Sequence, residues 1–357
     1  MKGYLVLENG DVFEGEKIGY DKSCICEIVF NTSMGGHLEA FSDPSYRGQG
    51  MCMTYPLIGL YGKPKEEYKK KKIWLEAIFV HDLSSVESNS TADITLNDFL
   101  NEHKIPGLAN VNTRKLTKIL RANGTMKGML TDDISDLDKI IEKISKHKSV
   151  KSLEGLSTEE VYCVGKGNIK IALLDYGLIE GVIKSLTKKG CKITVFPSKS
   201  KDLKPEEFDG IVLPGGPGDP ADCKEEIELV KKLYNSDIPI LGIGLGHQLM
   251  GLATGAKTDK LKYGHRGSNQ PVKDLKKDKI HATSQNHGYH IIEETVNKKI
   301  AEISHININD KTVEGLKYIG KDILTVQFQP EANPGPQDSE YIIDDFIKTV
   351  KAKKKKK

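Results

Sequence analysis

The sequence predicts an α/β protein in two parts: an N-terminal mixed α+β domain, followed by a domain built on a mainly parallel sheet flanked by helices. Three observations carry this. The first 162 residues hold short, turn-linked strand patterns interrupted by two helical ones. From Ile169 onward, apolar strand-like runs alternate with amphipathic helical ones. Those later runs are continuously apolar rather than alternating, which marks strands buried on both faces of a sheet. A chain of 357 residues is long enough for two such cores.

Taken in order, "GYLVLENGDVFEGEKIG" reads as a hairpin about Asn9-Gly10 and "CEIVFNT" as a strand. The segment "ITLNDFLNEHKIPG" reads as a short helix closed by Pro106 and Gly107. In "NTRKLTKILRANG", Leu116, Ile119 and Leu120 share one helical face and Gly124 stops the helix. The grammar changes near "VGKGNIK". There "IKIALLDYG" is a strand, "IEGVIKSLTKKG" a helix and "CKITVFP" a strand. "FDGIVLPGGPGDP" is then a strand and loop, "KEEIELVKKLYNS" a helix and "IPILGI" a strand. A strand-rich passage from Lys260 to about Phe328 precedes a last helix, "SEYIIDDFIKTV", which buries Ile342, Ile343, Phe346 and Val350. The resulting domains are 1–162 and 168–350, with 351–357 as a disordered lysine-rich tail.

Composition excludes several classes. Hydrophobic and charged fractions of 38% and 29% are those of an ordinary globular protein. No apolar run approaches 18 residues and the N-terminus lacks a secretory h-region, so neither membrane nor export is expected, and the chain reads as cytoplasmic. Six scattered cysteines read as reduced thiols. Cys24-x-Cys26 has no second ligand pair, so it reads as two thiols on opposite faces of a strand, and no metal site is assigned. The net charge of +3 lies largely in the terminal "KAKKKKK". With no basic face or stacking aromatics beside it, nucleic-acid binding is not expected.

In parallel sheets the functional loops lie at the carboxyl ends of strands. Three qualify: Gly215 to Pro220, Gly242 to Gly246, and "QFQPEANPGP" after "DILTV". "PGGPGDP" lacks the Gly-Lys-Ser/Thr of a P-loop, but Gly216 and Gly218 can bring backbone N–H groups close to a ligand. With the N–H of Leu245, they suit an oxyanion hole. A tight strand-to-helix turn accounts equally for that loop in isolation. Gly242-x-Gly244-x-Gly246 looks like a dinucleotide loop, yet no acidic residue marks a ribose site downstream. Strand, tight turn and helix also present the nucleophile in several hydrolase folds. Here the apex is Gly244, which has no side chain.

Together, "LPGGPGDP", "LGIGLGHQLMGLATGAKTDKLKYGHRGSNQPV", "TSQNHGY" and "TVQFQPEANPGPQDSEY" resemble the class I glutamine amidotransferase domain. More narrowly, the chain resembles the small subunit of carbamoyl phosphate synthetase. "LVLENGDVFEGEKIG", "FNTSMGGHLEAFSDPSYRGQ", "MTYPLIGLYG" and "NTRKLTKILRANGTMKGML" are similar to that subunit's N-terminal domain. The resemblance runs from residue 1 to about 350.

The resemblance implies a subunit that hydrolyses glutamine and passes ammonia to a large subunit, where bicarbonate and ATP are used. ATP and magnesium would sit on that large subunit, leaving no cofactor in this chain. The family reads "GICLGHQ" and "QFHPEA", with a Cys nucleophile, a His base and an orienting Glu. This chain reads "GIGLGHQ" and "QFQPEA". Gly244 therefore stands at the nucleophile position and Gln329 at the base position, while Glu331 remains. Glycine forms no thioester and glutamine has no group titrating near neutrality. Carried over by position, the glutamine-contacting set is Ser45, Gly216, Gly218, Leu245, Gln248, Asn286, Gly288 and Tyr289, the last in place of the usual Phe. "FSDPSY", "GGH", "LPGGPG" and "DYGLIEGVI" depart from the family pattern nearby. The expectation is a glutaminase-dead structural or regulatory partner of an ammonia-using large subunit. The alternatives are a non-hydrolysing glutamine sensor, or an enzyme using another nucleophile.

Overall fold

The computed structural model describes residues 1–60, 72–85, 94–148, 153–177, 180–332 and 334–355. Tyr61 and Gly62 of "MTYPLIGLYG", Leu178 and Ile179 of "DYGLIEGVI", Asn333, and Lys356–Lys357 lie outside the described residues. The chain divides into two compact units, Met1–Val150 and Lys151–Lys357.

The first unit is a closed barrel in the order β1-β2-β8-β6-β4-β3-β9. Its strands are β1 (Lys2–Leu7), β2 (Val12–Gly19), β3 (Cys24–Asn31), β4 (Gln49–Met53), β6 (Ala77–Phe79), β8 (Pro106–Ala109) and β9 (Met126–Thr131). A small pair, β5 (Leu57–Ile58) and β7 (Asp82–Leu83), lies outside it. The hairpin at Asn9-Gly10 joins β1 to β2, and β9 closes the ring by pairing with both β1 and β3. Closure removes the open sheet edges that would otherwise invite pairing with other chains. Helices α1 (His37–Phe41), α2 (Leu96–Glu102), α3 (Thr113–Asn123) and α4 (Leu137–Lys146) complete the unit. Thr95, Asn112 and Asp136 each cap the helix that follows by accepting a backbone N–H.

Two expectations need correction here. Pro106 and Gly107 do not close a helix: α2 ends at Glu102, and the pair opens β8, where Gly107 lies opposite Ile18 of β2 and Ile78 of β6. Cys24 and Cys26 do not face apart, because residues two apart along a strand share a face. A hydrogen bond with the Cys24 side chain, together with burial, pushes the Cys26 thiol well above its ordinary pKa.

The second unit holds a ten-stranded sheet in the order β10-β12-β11-β13-β14-β19-β18-β16-β15-β17. Its parallel centre is β12 (Cys191–Pro197), β11 (Ile169–Asp175), β13 (Gly210–Leu213), β14 (Ile240–Ile243) and β19 (Ile323–Val326). Antiparallel strands extend it: β10 (Tyr162–Val164) at one edge, and β15 (Thr258–Asp274), β16 (Lys279–Ile291), β17 (Ala301–Asn307) and β18 (Val313–Tyr318) at the other. Residues 153–162 go with this unit rather than the first, since β10 pairs with β12 and Thr158 donates its N–H to Asp175.

The continuously apolar strands bury both faces, as their pattern requires. Ile171 and Leu173 of β11 pack with Val182 and Leu186 of α5 (Glu180–Lys188), and with Ile343, Phe346 and Val350 of α8 (Tyr341–Lys354). Ala172 and Leu174 face the opposite layer. There they meet Val230 and Leu233 of α6 (Lys224–Tyr234), and Leu249 and Met250 of α7 (Leu245–Ala253). Each such buried Val, Leu, Ile, Phe or Met side chain contributes roughly 1.5–3 kcal/mol.

The lysine-rich tail is ordered further than its composition suggested. Lys351–Lys354 continue α8, and Lys353 and Lys354 reach Asp322 and Asp209 at 3.0 and 2.7 Å. Cations at a helix C-terminus also complement its dipole. None of the described helices is long and apolar enough to cross a membrane.

Candidate functional site

The site grows from the end of β14. Ile240–Ile243 is fully buried, and the chain then reverses at Gly244 into α7. Gly244 has φ 53° and ψ −110°, backbone that a residue with a Cβ adopts only under strain. Its N–H donates to Val326 O at 2.9 Å, and Gly246 N–H donates to Pro214 O at 3.0 Å, tying the turn to both neighbouring strands. The other two glycines serve close packing. A Cβ on Gly246 would lie 2.1 Å from Leu213 O, and one on Gly242 would lie 2.6 Å from Thr325 Cγ2. A Cβ on Gly244 would meet nothing nearer than Gly215 Cα at 3.3 Å. The Gly-x-Gly-x-Gly run is therefore a tight, close-packed strand-to-helix elbow.

The loop after β13 lies against this elbow. Gly216 is pressed between Tyr176 and Leu245, where a Cβ would come within 2.5 Å of Tyr176 O and 2.8 Å of Leu245 Cδ2. Gly218 adopts φ +88°. The structure thus brings Gly216 against the Leu245 side chain, next to Gly244 in the chain. The continuation of β19 passes the same point, with Gln327 O at 3.8 Å from the Gly244 Cβ position. Two residues on, Gln329 is 92% buried and bridges to Ser284, donating its N–H to Ser284 O at 2.9 Å. Glu331 follows it, half-buried.

Further residues join from α7 and β16. Gln248 is buried, and its Nε2 donates to Tyr289 O at 2.7 Å and to Gln327 Oε1 at 2.9 Å. Asn286 and Gly288 sit on β16 opposite β15; Asn286 pairs with Arg266, whose Nη2 is 3.2 Å from a Cβ built on Gly288. Both polar atoms of the Asn286 side chain are buried without a hydrogen-bond partner. A buried amide in that state has its donors and acceptor available to water or to a small polar ligand. Ser45 belongs to the first unit, buried in the turn Pro44–Tyr46 with its N–H on Asp43.

No alternative nucleophile emerges among the described residues of these loops. Cys223 is buried at the start of α6 with its Sγ turned to Asp219 O, 3.9 Å away. His247, one turn into α7, is fully buried; its Nδ1 lies 2.7 Å from Thr325 Oγ1. Burial holds its pKa at about 3, so it stays neutral and is unsuited to exchange protons near neutrality. A cavity of about 790 Å³ elsewhere in this unit is lined by Asp274, Lys276, His305, Lys317 and Tyr341 among others, and shares with the site only Ile240 at the start of β14.

A polar network that sequence reading missed lies behind Asn286. His265 on β15 sits between Asp310 (Nε2 to Oδ2, 2.7 Å) and Glu314 (Nδ1 to Oε1, 3.2 Å). Burial opposes charge on this ring, but the two carboxylates override it and raise the pKa to about 9. Glu314 is fully buried and accepts from Gln285 Nε2 at 3.0 Å and Asn307 Nδ2 at 3.2 Å. These residues are spread over four strands and the turn between β17 and β18, and only sheet pairing assembles them.

Comparison with known families agrees with this architecture. The family profile described as "Glutamine amidotransferase class-I" matches residues 172–349, and "Carbamoyl-phosphate synthase small chain, CPSase domain" matches residues 5–130. A Carbamoyl phosphate synthase small chain from Clostridium perfringens is 45% identical over 353 residues, covering 98% of this chain and 99% of its own. One from Caldanaerobacter subterraneus is 43% identical, covering 100% and 98%. A Carbamoyl phosphate synthase pyrimidine-specific small chain from Bacillus subtilis is 41% identical, covering 99% and 98%.

Proposed function

The chain belongs to the carbamoyl-phosphate synthase small-chain family, and from that premise we propose that it partners a large synthase subunit without hydrolysing glutamine. The observation that carries this is the apex of the elbow: Gly244 offers neither thiol nor hydroxyl to attack an amide carbon. Gln329, at the base position, cannot accept the proton that a nucleophile would release. Glu331 then has no imidazole to orient. Carbamoyl phosphate would be made from free ammonia, with bicarbonate and ATP used on the large subunit. The chain would act in the cytoplasm as a structural or regulatory partner. Reconstituted with its large subunit, the complex should form carbamoyl phosphate from ammonium and not from glutamine. Glutamine-dependent synthesis by the unaltered chain would overturn the proposal.

A second reading, a glutamine-binding sensor, is favoured by the buried, unpartnered Asn286 amide on β16, the strand whose Tyr289 O accepts from Gln248. Calorimetry separates the two. Glutamine binding without ammonia release, abolished by Asn286→Ala, supports the sensor; no heat of binding leaves the structural role. Replacing Gly244 by Cys together with Gln329 by His tests the pocket itself. Any recovered glutaminase activity would locate the loss in those two side chains alone.

A further inference from the structure

We propose that His265, His287 and Glu314 form a binding site for a divalent transition metal of the zinc class, with Gln285 Oε1 as a further oxygen donor. The donor atoms of the three residues lie within 4.8 Å of one another. His265 Nδ1 is buried, 3.2 Å from Glu314 Oε1 but without hydrogen-bond alignment to it. Its other nitrogen is held by Asp310 at 2.7 Å. A carboxylate on the far nitrogen is the arrangement that orients a metal-bound imidazole.

The hydrogen-bond count around His287 points the same way. Its Nδ1 lies 2.8 Å from Tyr289 O, so that nitrogen carries the proton. Its Nε2 then presents a lone pair to Gln285 Oε1, also at 2.8 Å. Turning the Gln285 amide around does not help. Its Nε2 donates to Glu314 Oε2 and to Thr283 Oγ1, both at 3.0 Å. The Thr283 hydroxyl proton is itself committed to Gln270 O at 2.8 Å. Lone pair therefore faces lone pair between Nε2 and Oε1. Charging His287 as well as His265 would set two buried cations with ring centres 4.9 Å apart. One divalent ion, taking the place of the proton on His265 Nδ1, accepts all these lone pairs. The charges of Asp310 and Glu314 balance it. Bonds to zinc are about 2.0–2.2 Å, which sets tetrahedral donors about 3.4 Å apart, so the wider pairs close inward while Gln285 Oε1 and His287 Nε2, now 2.8 Å apart, open. Two imidazoles with oxygen donors and no thiolate suit zinc or cobalt rather than calcium.

The test uses the full chain, stripped with chelator, dialysed and titrated with Co²⁺. We expect one equivalent per chain, visible d–d absorption without a thiolate charge-transfer band, and displacement by Zn²⁺. His287→Ala should weaken binding at least ten-fold. Asp310→Asn, which leaves every metal-bonding atom in place, should weaken it about 10–100-fold, and His290→Ala should change nothing. Should the variants fail to fold, X-ray absorption on the unaltered zinc-loaded chain decides: an all-N/O shell with imidazole scattering supports the site and a sulfur shell overturns it. Retention below a tenth of an equivalent, or binding indifferent to His287→Ala, would also overturn it.

Discussion

Placing a methyl group at the apex of the elbow, and then two residues later, separates backbone strain from overpacking. At Gly244 a Cβ has space, the nearest atom being Gly215 Cα at 3.3 Å. The penalty for Gly244→Ala is therefore mainly the φ of 53°, about 1–3 kcal/mol for a non-glycine residue. Loss of glycine's freedom in the unfolded chain returns about 0.4–1 kcal/mol. The net destabilisation is about 0–2.6 kcal/mol. At Gly246 the same methyl would sit 2.1 Å from Leu213 O and 2.6 Å from both Leu213 C and Cβ. Those atoms belong to a fully buried central strand and cannot rotate away. Gly246→Ala should exceed about 4 kcal/mol, in the range reserved for a broken core. The assay is calorimetry with far-UV circular dichroism, since the single tryptophan, Trp74, reports only on the first unit. For a body of this size 1 kcal/mol moves Tm by about 2–4 °C. Gly244→Ala should thus fall by no more than about 10 °C, and Gly246→Ala by more than its partner or fail to fold. If Gly246→Ala proves no worse than Gly244→Ala, the packing assigned to the elbow is wrong.

Acid should weaken the metal-free fold well above the carboxylate range. Burial holds His247 and His305 at pKa values of about 3 and 4, below the usual 6.5. Between pH 6.5 and 4 the unfolded chain takes up protons that the folded chain refuses, so stability falls by up to about 1.4 kcal/mol per pH unit for each. His265, raised to about 9, acts oppositely: its contribution is complete below pH 6.5 and is lost as pH rises through 9. Urea midpoints at pH 7 and 5 measure the acid limb, and equal values would contradict it. Thiol titration of the native chain should show one fast group, Cys163, the exposed cysteine, and lose it in Cys163→Ser. Burial pushes Cys52 and Cys191 up to about 12 and 11, so both should react only on unfolding.

Much of the second unit was legible because its signals are local. Unbroken apolar runs such as "IKIALLD" and "IPILGI" announce strands buried on two faces, and the helices between them carry their own periodicity. The elbow was legible for the same reason, being three loops with distinctive residues at known strand ends. Cys24 and Cys26 were misplaced through an error of period rather than of tertiary structure. Pro106 and Gly107 show the reverse, a local stop signal overruled when the barrel recruited them as a strand. The lysine tail was misjudged because charge suggested solvent, whereas Asp209 and Asp322 on distant loops hold Lys354 and Lys353.

By itself the sequence determined that residue 244 carries no thiol and residue 329 no imidazole, because the identity of a side chain needs no geometry to be recognised. Only the tertiary structure decided that the apex keeps the backbone and the space for a Cβ. It alone left the Asn286 amide buried and unanswered, and gathered His265, His287, Gln285 and Glu314 around one point. Those properties depend on register between β15, β16 and β18, and on the crossing of β14 with the β13 loop. Such contacts join residues tens of positions apart, where neither local propensity nor a short motif leaves a trace.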